Sequence, residues 1–424
     1  MENTNNNQHA LNRIPASEHR IDESKICGQA RHVVETLLKA NYQAYLVGGC
    51  VRDLVLGIEP KDFDVATNAH PEQICDLFDN SRLIGRRFRI VHVYFHRNNI
   101  EVSTFRAQAN NQATNAGSNG RILRDNTFGT IEEDAIRRDF TINALYYDIE
   151  NSEVLDYCNG YQDLRARKIC MIGDAETRYR EDPVRMLRAL RFRAKLDLTI
   201  ESNTEDPIKP MGHLLAEIPP ARLFDEVIKL FHSGYAVRCF QELVNFHLLQ
   251  VLFPITKKAL DHDESFNLLI HNALENTDTR IGSGKSVNPA FIFAIMLWRP
   301  YLQLLEQSNQ QGIPYSEGAW ASGRRTVLDQ SSVISIPKRF SVTICEIWKL
   351  QNRFLKRHGR KSLQLMSHPR FRAAYDFMCL RTQAGELDSE ICTWWTKIQT
   401  LSEQEQRKMV DQKKHTPRKR KNKQ

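Results

Sequence analysis

The sequence predicts an α+β protein in which a mixed-sheet head is followed by an all-α remainder. Three observations predict it. Short runs rich in β-branched and aromatic residues recur near 44–47, 61–66, 89–95, 100–105, 142–149 and 168–172. Among them, "YLVGGCVRDLVLGIEPKDFDVATN" at 45–68 reads as an apolar strand, two glycines, a helix start and a second apolar run carrying Asp-x-Asp. From about residue 183 almost to the end, helical periodicity takes over.

In chain order, a polar leader at 1–25, expected to be disordered, precedes a helix at 26–40. The head spans 26–172 and is interrupted by "AQANNQATNAGSNG" at 107–120, which reads as a mobile loop. A helical neck at 173–235, a helical body at 236–405 and a disordered basic tail at 406–424 complete the expected organisation. No internal repeat is visible, and the Asn-rich leader and the basic tail are the low-complexity segments.

The 424 residues, 41% hydrophobic and 26% charged, are enough for two or three domains with buried cores and exclude a disordered chain. The first twenty residues lack the apolar centre of a signal peptide, and no apolar run reaches the roughly eighteen residues of a membrane span, so a soluble, cytoplasmic protein is expected. Nine cysteines occur without a C-x-x-C pair, so reduced thiols are expected, and Cys50 reads as a small packing residue. The net charge is +8, and "KKHTPRKRKNKQ" at 413–424 supplies seven positive charges, leaving the rest near neutral. Lys413, Lys414, Arg418, Lys419, Arg420, Lys421 and Lys423 are candidate polyanion contacts, with a solubilising end as the alternative.

In "KDFDVAT" the strand period of two puts Asp62 and Asp64 on one face, roughly 6 to 7 Å apart along the chain. Two hard cations about 3.5 to 4 Å apart can share such carboxylates and take their other oxygens from substrate phosphates. Gly48 and Gly49 allow a tight turn that brings backbone N–H groups close to an anion. Arg52 lies in the first turn of the helix that follows, where the helix dipole disfavours a cation and a phosphate would favour one. Glu101 in "IEVSTF" is the candidate third carboxylate, or an ordinary exposed strand residue. "RRDFTINALYYD" places Arg137, Arg138, Asp139 and Asn143 where guanidinium groups can grip phosphate and the carboxylate and amide can bind ribose hydroxyls; a surface ion pair at a helix end is the alternative.

Taken in order, "LVGGCVRD", "KDFDVAT", "RRDFTINAL", "EDPVRMLRALRF" and "ARLFDEVIKL" resemble the motif series of the class II nucleotidyltransferases, the family of bacterial poly(A) polymerases and tRNA CCA-adding enzymes. "SVNPAFIFAIMLW", "IPKR" and "HPRFRAAYDFMCLR" are similar to the polyadenylating branch. The resemblance implies a polymerase-β-like nucleotidyltransferase head, with Asp62 and Asp64 as metal-binding catalytic carboxylates and Asp139 as a further active-site acid. It implies a nucleotide-sugar site with Arg138, Asp139 and Asn143, two Mg²⁺ ions with Mn²⁺ as the alternative, ATP as substrate, and RNA 3′ ends as acceptor. RNA-decay or RNA-chaperone proteins are candidate partners.

Within the fourth motif, Asp182 before Pro183 is either a helix N-cap or, by the resemblance, a base reader with Arg185. A carboxylate accepting from an exocyclic amine and a guanidinium donating to a ring acceptor select adenine and cytosine over guanine and uracil, without separating ATP from CTP. Arg188 and Arg191 continue at helical steps toward triphosphate or RNA, or form a solvated face. Arg222 and Glu226, an i, i+4 pair, read as structural support. "GSGKS" at 282–286 lacks the first glycine of a P-loop, and the lone His262-Asp263 dipeptide is weak as a metal motif. The expected function is template-independent addition of AMP from ATP to RNA 3′ ends, with release of pyrophosphate. CCA addition to tRNA and a non-catalytic RNA-binding scaffold are the alternatives.

Overall fold

The structure is a computed structural model that describes residues 10–85, 89–96, 98–107 and 127–411. The expected loop beyond Ala107 and the basic cluster from Lys413 lie outside the described residues. Two compact units meet in sequence at Leu214 and Leu215.

Ten strands occur among the described residues: β1 (Asn12–Pro15), β2 (Ala44–Val47), β3 (Asp64–Thr67), β4 (Ser81–Ile84), β5 (Ile90–Phe95), β6 (Asn98–Thr104), β7 (Leu145–Asp148), β8 (Glu153–Asp156), β9 (Lys168–Ile169) and β10 (Thr199–Ile200). Eight form one sheet in the order β1-β8-β7-β2-β3-β6-β5-β4. It is mixed, because β3 and β6 run parallel and the other neighbours are antiparallel. The helix Gly28–Lys39 packs on β2, β3 and β6, burying Ala30, Val33, Val34 and Leu37 at the i, i+3, i+4, i+7 spacing of one helical face. Val47, Ala66, Ala144, Tyr146 and Leu155 join Phe105 and Ala135 in a core cluster beside β2.

The leader is shorter than expected. Residues 12–15 form β1, paired with β8, and Ile14 is buried. An edge strand with one inward apolar residue gives little hydrophobic pattern to read. The sheet strand at 61–66 begins only at Asp64, after a bend at Lys61 and Asp62, and 142–149 divides into a 3₁₀ turn at Thr141–Asn143 and then β7.

The first unit runs past the expected head boundary at 172. β9 pairs in parallel with β10, the Met171 N–H donates to Thr204 Oγ1 at 2.8 Å, and Arg178 Nη2 donates to the carbonyls of Arg137 and Arg138. These bonds make residues 173–214 part of the same body as the sheet.

The second unit is helix and connection throughout its described residues. Phe224 stacks on Phe293 and Phe340, and Tyr301 stacks on Trp348 with ring centroids 4.5 Å apart. The helix Glu403–Asp411 buries Val410, so the expected disordered tail from 406 is ordered to 411. The expectation of reduced thiols fails at one pair, since Cys379 and Cys392 form a disulfide between the packed helices Phe371–Gln383 and Ser389–Gln399. Cys50 is the expected packing residue, its thiol pushed up to about 12 by burial.

Candidate active site

Asp64 opens β3 and stands in register with Glu101 of β6, which in turn faces His92 of β5. Cross-strand partners share a face, so these three side chains form one polar row. The next row, Leu46, Val65, Val102 and Val91, points the other way and is fully buried. Asp62 precedes the strand, yet the expected alternation survives, because Asp62 is exposed, Phe63 buried and Asp64 half-buried. Glu101 Oε1 lies 3.4 Å from His92 Nε2.

Burial, then the charge of Glu101, with Asp62 adding to it, pushes the Asp64 carboxyl up to about 6 against the opposing pull of Arg138. Such a cluster is short of positive charge. Hard oxygen donors that repel one another fit a divalent cation of the magnesium type, which takes one or two carboxylates and completes its shell with phosphate and water. No group of three His, Cys, Asp or Glu among the described residues is arranged to hold a metal ion.

Beside this row, β2 ends in the glycine turn. Gly48 adopts φ 75°, so the backbone calls for glycine, although a Cβ there would make only ordinary contacts with Arg138 Nη1 at 3.4 Å and the Asn143 carbonyl at 3.5 Å. Arg138 lies over the Tyr146 ring, donates to its hydroxyl at 3.1 Å and pairs with Asp134 at 2.9 Å. Burial alone would raise the Asp134 carboxyl, but Arg138, Arg137 and the Tyr146 hydroxyl hold it at about 2. The RRD segment is therefore an anchored ion-pair cluster rather than a surface pair.

A second network runs from Asp53 through Arg52, Asn143 and Asp139 to Arg188. Arg52 is 3% exposed; Nε and Nη2 donate to Asp53 Oδ1 at 2.9 and 2.6 Å, and Nη1 donates to Asn143 Oδ1 at 2.6 Å. The helix starts at Gly49, earlier than expected, so Arg52 lies in its last turn rather than its first, and the cation is balanced by a protein carboxylate and amide where the sequence suggested a phosphate. The Asn143 amide then donates to Asp139 Oδ1 at 3.2 Å, and the Phe140 N–H donates to the same oxygen at 2.8 Å. Arg188 holds Oδ2 through Nε at 2.6 Å. Burial would raise the Asp139 carboxyl, but Arg188, Asn143 and the Phe140 N–H together hold it below the usual range.

The helix Val184–Leu196 buries Val184, Met186, Leu187, Ala189 and Leu190 and leaves Arg185, Arg188 and Arg191 half-exposed at steps of three. The guanidinium groups of Arg52, Arg188 and Arg191 surround the Phe192 ring at 5.1, 5.7 and 5.1 Å. Pro183, already at helical φ −57° and ψ −23°, takes the cap position without a side-chain cap bond, while Asp182 closes the preceding helix Ala175–Glu181. Arg185 donates to Glu181 Oε2 at 3.0 Å and to the Arg178 carbonyl at 2.7 Å. Arg222 and Glu226 belong to the second unit, on the helix Pro220–Phe231, where buried Glu226 takes Lys229 at 2.9 Å.

Asp53, Asp134, Tyr146, Glu181, His92 and Phe192 escaped the sequence reading. Asp134 carried a signal, three and four residues ahead of Arg137 and Arg138, and so did Asp53, next to Arg52; His92 carried none, because strand register supplies its partner. Asp263 caps the helix Glu264–Gly282 and pairs with Arg299, and "GSGKS" begins at the last residue of that same helix, which accounts for both dismissed motifs.

Three family profiles match the chain: a poly A polymerase head domain over residues 44–170, a probable RNA and SrmB-binding site of polymerase A over 197–260, and a polymerase A arginine-rich C-terminus over 311–424. The chain is 46% identical to poly(A) polymerase I of Salmonella typhi over 94% of its own length and 88% of that protein. It is 43% identical to poly(A) polymerase I of Haemophilus influenzae over 95% and 90% of the two chains. A CCA-adding enzyme of Bacillus pumilus is 35% identical over 57% of this chain and 60% of its own. Among solved structures, an apo CCA-adding enzyme aligns with a TM-score of 0.63 at 20% identity, covering 95% of this chain and 92% of that one. The Thermotoga maritima CCA-adding enzyme complexed with tRNA aligns at 0.59 and 20% identity, over 91% and 85%. These two likenesses establish the nucleotidyltransferase fold.

Proposed function

The chain belongs to the poly(A) polymerase I family, and from that membership we infer that it adds AMP from ATP to RNA 3′ ends without a template, releasing pyrophosphate. It is a polynucleotide adenylyltransferase. CCA addition is the more distant alternative, since the CCA-adding relative matches little more than half of the chain.

The observation that carries the chemistry is the convergence of Asp62, Asp64 and Glu101, where burial and then the neighbouring carboxylates push the Asp64 carboxyl up to about 6. Asp62 and Asp64 are the proposed holders of magnesium or manganese, with Glu101 beside them. Such ions supply Lewis acidity to the RNA 3′-hydroxyl and the α-phosphate and offset the charge of departing pyrophosphate. Gly48 keeps the turn over this row free of side chain, and Arg138 braces it from the Asp134 side. Asp139 and Asn143 form the wall proposed to meet the nucleotide sugar, and Arg52 holds Asn143 in place. Arg188 and Arg191 offer positive charge to triphosphate or RNA. Asp182 and Arg185 are the proposed base readers, with Arg185 oriented by Glu181. The helical second unit and the basic cluster at 413–424 are proposed to carry RNA. The cellular setting we propose is cytoplasmic polyadenylation of messenger RNA that promotes its decay.

The deciding experiment offers an unstructured RNA and a tRNA lacking its CCA end, each with all four nucleoside triphosphates, and sequences the products. Long A runs on the unstructured RNA are expected. C-C-A ends confined to tRNA would overturn the reading.

A further inference from the structure

Within the second unit, the helices Tyr315–Ser331 and Lys338–Phe354 wall an open groove of about 1260 Å³. Four of the ten exposed large apolar side chains among the described residues line it: Tyr315, Trp320, Leu328 and Val342, at 43%, 60%, 64% and 49% exposure. Val327 and Ile336 lie beneath them. A soluble surface rarely leaves so much apolar area together unless something covers it.

The groove is also strongly basic. Arg324, Lys338, Lys349, Arg353 and Lys356 line it, and none of them makes an ion pair among the described residues. Of the other charged residues there, Arg325 is paired with Asp329 at 2.9 Å and Glu346 with Arg370 at 3.0 Å, leaving Glu317 as the one acid not so engaged. Each wall is a 17-residue helix, about 25 Å long, with groove-facing residues at helical steps such as Trp320, Arg324 and Leu328.

We propose that this groove docks an amphipathic helix of a partner protein, whose apolar stripe covers Trp320, Leu328 and Val342 and whose polar face is acidic. Helix-in-groove recognition needs an apolar trough of this length, and the five cations select the sign of the partner. Single-stranded RNA suits the groove less well. Bases need aromatic platforms, and beyond Tyr315 and Trp320 the exposed surface is aliphatic, while the Trp320 ring already carries the Arg324 guanidinium at 4.6 Å. The chain's own C-terminal segment is basic and would be repelled.

The test uses the full chain and a fluorescent helical peptide of about 17 residues, with Leu at a, d and e positions and Glu elsewhere, read by anisotropy. Controls are the same peptide with Lys for Glu, and labelled oligo(A) RNA. Saturable binding of the acidic peptide is expected, weakened at least about tenfold by Leu328→Asp and by Lys349→Glu, and absent for the Lys peptide. Both substitutions fall on exposed side chains, so circular dichroism should match wild type. The proposal is overturned if the acidic peptide does not saturate or ignores both substitutions. It is overturned equally if oligo(A) is the ligand whose affinity falls with Leu328→Asp, or if sedimentation reveals a dimer that this change dissociates.

Discussion

Arg188 holds Asp139 by one carboxylate oxygen, with Nε 2.6 Å and Nη2 2.5 Å from Oδ2, and so ties the arginine-bearing helix to the segment that leads into β7. The other oxygen takes Asn143 and the Phe140 N–H, and Asn143 passes the linkage to Arg52 and Asp53. Two carboxylates, two guanidinium groups and one amide thus form a continuous chain beside the glycine turn, buried except at its Arg188 end. Its members balance one another's charge before any nucleotide arrives.

Removing one member should therefore strand another. Arg188→Ala is expected to cost about 2–3 kcal/mol in urea unfolding, because Asp139 stays buried without its cation. In an Asp139→Asn background the same change should cost less than about 1 kcal/mol, the difference being their coupling. Equal costs in the two backgrounds would show the contact to be incidental.

Asp64 and Asp139 should respond to pH in opposite directions. The folded-state pKa of Asp64 is raised from 3.8 to about 6, so its ionisation costs stability, a cost that grows from pH 4 and is complete above about 6. Asp64→Asn should therefore stabilise the metal-free protein by about 1–2 kcal/mol at pH 7.5 and hardly at all at pH 4. The folded-state pKa of Asp139 is lowered, so it contributes stability above the usual carboxylate range and loses it as pH falls through the lowered value. Asp139→Asn should destabilise at pH 7 and converge on wild type in acid. Thermal melts across this range check both signs.

Asp62→Ala and Asp64→Ala should each abolish nucleotide addition while leaving a folded protein, since neither side chain is a core contact. Magnesium should raise the melting temperature of wild type at neutral pH and fail to do so for Asp64→Ala. Wild-type turnover by either variant would remove the two carboxylates from the chemistry.

Deleting residues 413–424 should weaken RNA binding and flatten its dependence on salt, because seven cations and the counterions they release would be lost. Turnover at saturating RNA should change less. Unchanged slopes of log affinity against log salt would mark the segment as a solubilising end.

GTP and UTP should be rejected strongly, since either base sets acceptor against the Asp182 carboxylate and donor against Arg185. Asp182→Ala should erode that selectivity more than it weakens triphosphate binding. Glu181→Gln, which loosens the orientation of Arg185, should erode it partially. Incorporation of G or U by wild type as readily as A would end the base-reading assignment.

Periodicity and motif spacing in the sequence were enough for the α+β class, the switch to helices, the glycine turn, and the acids and arginines of the first unit. Those features are local, and period-two and period-three-and-a-half patterns report them directly. Tertiary structure decided what the same residues face. Register set Asp64 beside Glu101 and His92 from three separate strands, and chain return gave Asp139 the guanidinium of Arg188. Arg52 illustrates the division best. Its place on the helix after the glycines and its neighbouring carboxylate Asp53 were readable, but the Asn143 amide that completes its hydrogen bonds is contributed from 91 positions away and was decided by folding.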